Sequence, residues 1–201
     1  MCMQLAQWPR ETITLQAAGL DAYNFRLHQL ADGSGHFCAC AFLMKNLLEP
    51  RHEMNPGKVN SGGWPATTMR TWLNDRVFKA LPGLWQHIIQ AVNIMSTAGD
   101  KSTDIVTSTD KLWLPSAKEV GGYVYSPGFS SEANGVINLY TNDPSRVKYI
   151  RNGEGGVIGD WVTRSPNLDD SIGFVNITQS GGVIYNMYAP SNICVCFGFC
   201  I

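Results

Sequence analysis

Hydrophobic and polar positions change their period twice along this chain. Between Leu20 and Ala31, Tyr23, Phe25 and Leu27 alternate with polar residues and Leu30 follows, the period of two expected of a half-buried strand. Asp32-Gly33-Ser34-Gly35 is a turn signal, and His36 to Leu48 resumes as a strand or strand pair, so this stretch predicts a β-hairpin. Pro50, Pro56, Gly57, Gly62 and Gly63 then mark a loop. From Trp64 to Val92 the period becomes helical. Thr67 is placed to cap a first helix, whose Met69, Trp72 and Leu73 fall at i, i+3 and i+4. Pro82-Gly83 breaks it, and Leu84, Trp85, Ile88, Ile89 and Val92 form one face of a second helix.

The rest of the chain is rich in glycine. Asp110 to Ser116 predicts a strand ending at Pro115, Val120 to Asn142 is mostly loop, and Trp161 to Pro166 and Val183 to Tyr188 are short strands. Ile193 to Ile201 predicts a strand with Ile193, Val195, Phe197, Phe199 and Ile201 on one face and Cys194, Cys196, Gly198 and Cys200 on the other. Both faces are apolar, so it belongs in the interior. The pattern describes one α+β domain: residues 1–60 supply N-terminal strands and a hairpin, and residues 61–201 supply the core.

Composition narrows the classes of function. The chain has 201 residues, 44% hydrophobic and 15% charged, against about 25% charged in typical soluble chains, which excludes a disordered protein. A net charge of −1 argues against binding nucleic acid through bulk charge. No apolar run approaches the roughly 18–20 residues that span a bilayer, so membrane insertion is not expected. The first ten residues show no basic segment followed by an apolar core, as a secretory signal would.

Few residues offer chemistry. Cys2, Cys38, Cys40, Cys194, Cys196 and Cys200 lack the C-x2-C spacing of zinc sites. The expectation is small buried cysteines facing a packed layer, with a disulfide between the two clusters or a metal as alternatives. His28, His36, His52 and His87 are scattered and read as packing or surface residues. Ser165 lacks the G-x-S-x-G context of a nucleophile. Gly153-Glu154-Gly155-Gly156 lacks the Lys-Ser/Thr of a phosphate loop and reads as a turn. Asp169-Asp170 reads as a solvated turn, with calcium as the alternative. Arg164 lies on a predicted strand between Trp161 and Pro166, where a buried guanidinium needs a carboxylate or several carbonyls. Glu119 is the expected partner.

Gly62-Gly63-Trp64, Met69-Arg70-Thr71-Trp72-Leu73-Asn74 and Leu81-Pro82, then Asp110 to Ser116 with Glu119-Val120, Trp161 to Pro166, and Phe197-Gly198-Phe199-Cys200-Ile201 together resemble the motifs, in order, of an uncharacterised domain family of gut bacteria, prophages and phage tail proteins. The resemblance implies a C-type lectin-like fold, with small twisted antiparallel sheets, two helices and long loops. It lies in the branch shared with formylglycine-generating enzymes and with the variable proteins of diversity-generating retroelements. In those variable proteins the last segment is mutated at adenines and displays a binding surface. Residues 161–201 here hold neither Lys nor Glu, in keeping with mutated Asn codons, which cannot yield either.

The resemblance implies a non-enzymatic protein that binds a cell-surface protein or glycan. Its place would be a virion or bacterial surface, within an oligomeric tail or surface assembly. The ligand-binding residues expected on this reading are Val162, Thr163, Asn176, Thr178, Ile184, Tyr185, Asn186, Tyr188, Ser191 and Asn192, with no metal or other cofactor required. Tyr supplies rigid contact area, and Ser and Asn supply adaptable hydrogen bonds. The alternatives are a structural tail- or capsid-associated domain and a formylglycine-generating-type oxidase using Cys196 and Cys200. Trp64, Trp72, Trp113 and Trp161 are expected in the core.

Overall fold

The computed structural model describes residues 27–48, 50–121, 127–150 and 156–201, and the backbone pairing of three short strands before them. The strands are β1 (Cys2–Gln4), β2 (Thr14–Gln16), β3 (Leu20–Tyr23), β4 (Gln29–Leu30), β5 (Ala41–Met44), β6 (Val92–Gly99), β7 (Ser102–Asp110), β8 (Trp161–Pro166), β9 (Gly173–Ile177), β10 (Val183–Tyr188) and β11 (Gly198–Cys200). They form four small antiparallel sheets: β1-β2, β4-β6-β7, β11-β5-β3 and β10-β9-β8. With a few short helices this is an α+β architecture. Phe25, Glu49, part of the 120–142 loop and Gly153-Glu154-Gly155 lie outside the described residues.

The predicted hairpin at Asp32–Gly35 is present, with the Leu30 N–H donating to the His36 carbonyl at 2.8 Å. Helix α1 (Thr68–Thr71) continues through a π-helical stretch, Trp72–Val77, into α2 (Phe78–Ala80). Thr67 caps it as expected: its side chain accepts the Arg70 N–H at 3.1 Å. The second helix, α3 (Gly83–Ile88), is shorter than predicted. Ile89 and Val92 are buried beyond its end, and Leu84 is exposed. Six residues cannot carry the long apolar face that the sequence suggested.

A longer departure is the β6–β7 hairpin, which the hydrophobic pattern does not show. Its turn holds Asp100 and Lys101 at φ of 53° and 64°, the left-handed region that favours glycine or asparagine. The Asp100 N–H is received by Asn60 Oδ1 at 2.8 Å, which anchors the turn from outside the hairpin. Strand β9 was likewise unpredicted, and Asp110 closes β7 while Lys111 to Ser116 carries one bridge, Trp113 to Gly198, rather than a strand.

The C-terminal segment runs through the centre. The Met44, Leu48 and His52 N–H groups donate to the carbonyls of Phe197, Val195 and Ile193. Val195, Cys196, Phe197, Phe199 and Cys200 are all buried, while Ile201 is half-buried. The segment is an interior one, as expected, but only its last three residues before Ile201 form regular strand. The cysteine expectation needs correction: Cys38 and Cys200 form a disulfide with Cα atoms 5.9 Å apart, while Cys40 and Cys194 are free thiols. Trp64, Trp113 and Trp161 are core residues, but Trp72 is only half-buried and stacks on His52 with ring centroids 4.5 Å apart.

The motif residues hold this frame together. Asp110 accepts from Trp64 Nε1 at 2.9 Å, Arg70 Nε at 2.6 Å and Ser108 Oγ at 2.6 Å. Asn74 accepts the Lys111 and Leu112 N–H groups and donates to the Leu112 carbonyl. Arg164 is the expected pin. It donates to Glu119 Oε2 at 2.6 Å and to the carbonyls of Met95, Leu114 and Glu132. These are scaffold roles: the buried charges of Asp110, Glu119 and Arg164 each meet a counter-charge, as burial requires.

Candidate functional site

Two irregularities shape the β10-β9-β8 sheet. Ile184 pairs with Asn176, yet Met187 pairs with Phe174, so β10 carries a bulge at Tyr185 and Asn186. Bulges re-aim side chains and cluster beside binding sites. Beyond β10 the chain turns at residues 189–192 and re-enters the core, where His52 bridges Ile193 and Trp161 bridges Cys194. Those two bridges bring Arg51 and Asp160, each one residue away, to the end of the sheet.

The result is a cavity of about 310 Å³ lined by Arg51, Gly159, Asp160, Asn176, Gln179, Asn186, Met187, Ser191, Asn192, Ile193 and Cys194. This lies at the small end of the ~300–1,000 Å³ range of small-ligand sites. Asn176 is 3% exposed, on the central strand, and its Oδ1 has no hydrogen-bond partner. A buried amide oxygen left unpaired costs about 1–3 kcal/mol. Asp160 Oδ1 accepts the Gln179 N–H at 2.9 Å, tying the approach of β8 to the β9–β10 turn. Buried Cys194 lines the same cavity: burial pushes its thiol pKa up, the hydrogen-bonding Arg51 side chain lowers it and Asp160 raises it. Gly159 is required there, since a Cβ would sit 2.9 Å from Cys194 Sγ.

Four of the ten expected ligand residues, Asn176, Asn186, Ser191 and Asn192, meet at this cavity. Tyr188 is exposed, with the Lys58 ammonium 5.0 Å above its ring. Tyr185 is half-buried and stacks on Phe129 at 5.9 Å, and Ile184 is half-buried beside it. Thr178 is a turn residue whose Oγ1 accepts the Gly182 N–H at 3.0 Å. Val162 and Thr163 must be corrected: both are fully buried, and Thr163 Oγ1 donates to the Val175 carbonyl at 2.9 Å. They sit on β8 with its other face covered by the core, where no ligand can touch them. Asn176 is buried too and belongs to the cavity wall rather than to an exposed face.

Arg51, Gly159, Asp160, Gln179, Met187 and Cys194 were not anticipated as site residues. Nothing local marks them, because Arg51 is separated from the rest by the whole middle of the chain. The other candidates are occupied elsewhere. Asp170 Oδ1 accepts the Ile172 and Gly173 N–H groups and its Oδ2 accepts from Asn167, so this carboxylate stabilises a turn. Among the described residues no group of three His, Cys, Asp or Glu is placed to hold a metal. Ser165 accepts the Ala117 N–H at 2.7 Å and donates to Glu132. Cys200 is bonded to Cys38 and Cys196 is buried, so the two do not form a pair of accessible thiols.

The chain matches the family model of a domain of unknown function, DUF6273, over residues 40–199, and it belongs to that family. No curated protein and no solved structure matches it. Among the described residues no helix is long and apolar enough to cross a membrane.

Proposed function

We propose that this protein is a non-enzymatic binding module of C-type lectin-like architecture. It meets a cell-surface protein or glycan through the cavity beside β9 and β10, on a phage tail or bacterial surface. The observation that carries this reading is the convergence of Asn176, Asn186, Ser191 and Asn192 with Arg51 and Asp160 around one concave site. Concave sites with a few convergent polar groups are the usual form of a ligand pocket. The exposed Tyr188 lies on the same strand as Asn186. Aromatic and amide groups on a rigid frame supply affinity at small entropic cost.

The test is binding of labelled protein to whole bacterial cells and to a glycan array, with Asn176→Ala, Asn186→Ala and Asn192→Ala beside the unmodified chain. Binding should fall at two or more of these, with the melting temperature of the two exposed variants within a few degrees, as exposed substitutions shift stability by about 0.5 kcal/mol. Binding unchanged by all three substitutions would sink the assignment of the surface. Absence of binding to any cell or glycan would favour a purely structural domain.

A further inference from the structure

The charges around the cavity narrow the ligand class beyond a generic surface group. Arg51 and Asp160 both line it, and both act on the thiol of Cys194, so the cation and the anion stand near one point. They cancel in formal charge, which disfavours a ligand with net charge. Among the described residues neither forms an ion pair with another side chain. Asn176 adds an amide to the wall, and the Asp160 carboxylate needs a donor from the ligand. Asn186, Ser191 and Asn192 add further polar atoms at the rim. Met187, Ile193 and Cys194 supply an apolar portion of wall. Among the described residues no aromatic ring lines the cavity, which leaves the C–H face of a pyranose without a stacking partner there.

We propose that the cavity binds the zwitterionic centre of an α-amino acid, its carboxylate paired with Arg51 and its ammonium with Asp160. The assignment rests on the cavity being the binding site proposed above and names what occupies it. An ammonium supplies three donors and no acceptor, which matches a carboxylate. A carboxylate accepts two parallel bonds from a guanidinium. The apolar wall takes a short aliphatic side chain. The same centre is carried by a free amino acid or by a side-chain-linked residue on a surface polymer whose α-amino and α-carboxyl groups are both free.

The test is calorimetric titration of the full chain with defined probes. Free alanine and leucine in both L and D forms represent the free ligand. Nε-acetyl-lysine represents the displayed one, since it keeps the zwitterion at the end of an acylated side chain. Nα-acetyl-lysine, alaninamide and neutral monosaccharides are the controls. At least one zwitterion should bind, and removing its α-ammonium or its α-carboxylate should weaken binding by about tenfold or more, the loss expected of one charge-assisted hydrogen bond. Asp160→Asn should abolish discrimination between Nε- and Nα-acetyl-lysine, and Arg51→Gln should abolish discrimination between alanine and alaninamide. Preference for Nε-acetyl-lysine over alanine and leucine assigns the displayed source, and the reverse assigns the free one. Binding of a neutral monosaccharide ahead of every zwitterion, or no zwitterion binding at all, overturns the proposal. In that case cell binding still lost in Asn186→Ala and Asn192→Ala would keep the binding surface and discard only the ligand class. Zwitterion binding without any cell binding would do the opposite.

Discussion

Arg164 shows how much one side chain can fix. Its guanidinium satisfies Glu119 and three carbonyls in a site from which water is excluded. Burial would raise the Glu119 pKa, but Arg164 and His28 outweigh it and hold the carboxyl below its ordinary range. Replacing Arg164 by Leu strands that carboxylate and should destabilise the protein by roughly 3–5 kcal/mol. Urea unfolding would read the change, and a loss below about 1 kcal/mol would mean that the pin carries little of the fold. His28 lies 3.3 Å from Glu119 Oε1 and packs its ring, tilted by 56°, against Trp113. Burial, opposed by Glu119 and helped by Arg164, lowers its pKa from 6.5 to about 4. The unfolded chain therefore takes up this proton more readily than the folded one. Stability should fall as pH drops from 6.5 towards 4, by roughly 3 kcal/mol from this group, with no further loss from it below. Unfolding curves at pH 7, 5.5 and 4 should show that slope, and His28→Gln should flatten it. An unchanged slope in the variant would assign the acid sensitivity elsewhere. Among these contacts, the Arg164–Glu119 pairing was legible in the sequence, because a buried arginine must have a partner. His28 was not, since an isolated histidine carries no local sign of what it packs against.

At the scale of elements, hydrophobic period and turn chemistry identified those strands and helices whose own residues specify them. Trp161–Pro166, Val183–Tyr188 and the Thr67 cap fall where the pattern placed them. The β6–β7 hairpin does not appear in the pattern because β7 is largely exposed and polar and its turn has Asp100-Lys101 in place of an Asn-Gly signal. Its geometry is imposed by Asn60 and by the Gly62-Gly63-Trp64 turn packed on β6. Gly63 has φ of 59°, and a Cβ there would lie 2.1 Å from the Thr97 carbonyl oxygen. Gly63→Ala combines left-handed strain with a backbone clash, so a loss of more than about 2 kcal/mol or failure to fold is expected. A soluble variant melting within a degree of the parent would show that the loop can move aside. Trp72 is the converse case. Its half-exposed ring stacks on His52, so Trp72→Ala should cost about 1–3 kcal/mol, below the roughly 3–5 expected of a core tryptophan. Chemical denaturation of Trp72→Ala beside Trp64→Ala would rank them, and equal losses would contradict the burial difference.

Across the whole molecule, the C-terminal segment closes the fold. The Cys38–Cys200 disulfide spans 162 residues, and such a crosslink limits the unfolded chain by up to about 5 kcal/mol in the loop-entropy account. Cys200→Ala, or reduction of the parent, should lower the melting temperature markedly, and a melting curve indifferent to reductant would show that the crosslink contributes nothing. Deleting Phe197 to Ile201 removes this bond, the β11 pairing and two buried phenylalanines together, so the truncated chain should not fold cooperatively.

From the sequence alone came the α+β class, the interior C-terminal segment, three core tryptophans and the amide-rich stretch around Asn186 and Asn192. Each is written in local period, turn residues or composition. Which cysteines join, which of the ten expected residues face a cavity, and that Arg51 and Asp160 stand beside them were decided only by the tertiary structure. Those facts depend on contacts between segments far apart in sequence, such as Cys38 with Cys200 and His52 with Ile193. Local patterning carries no record of such distances, because a residue's periodicity reports which face it presents and not which distant segment covers that face.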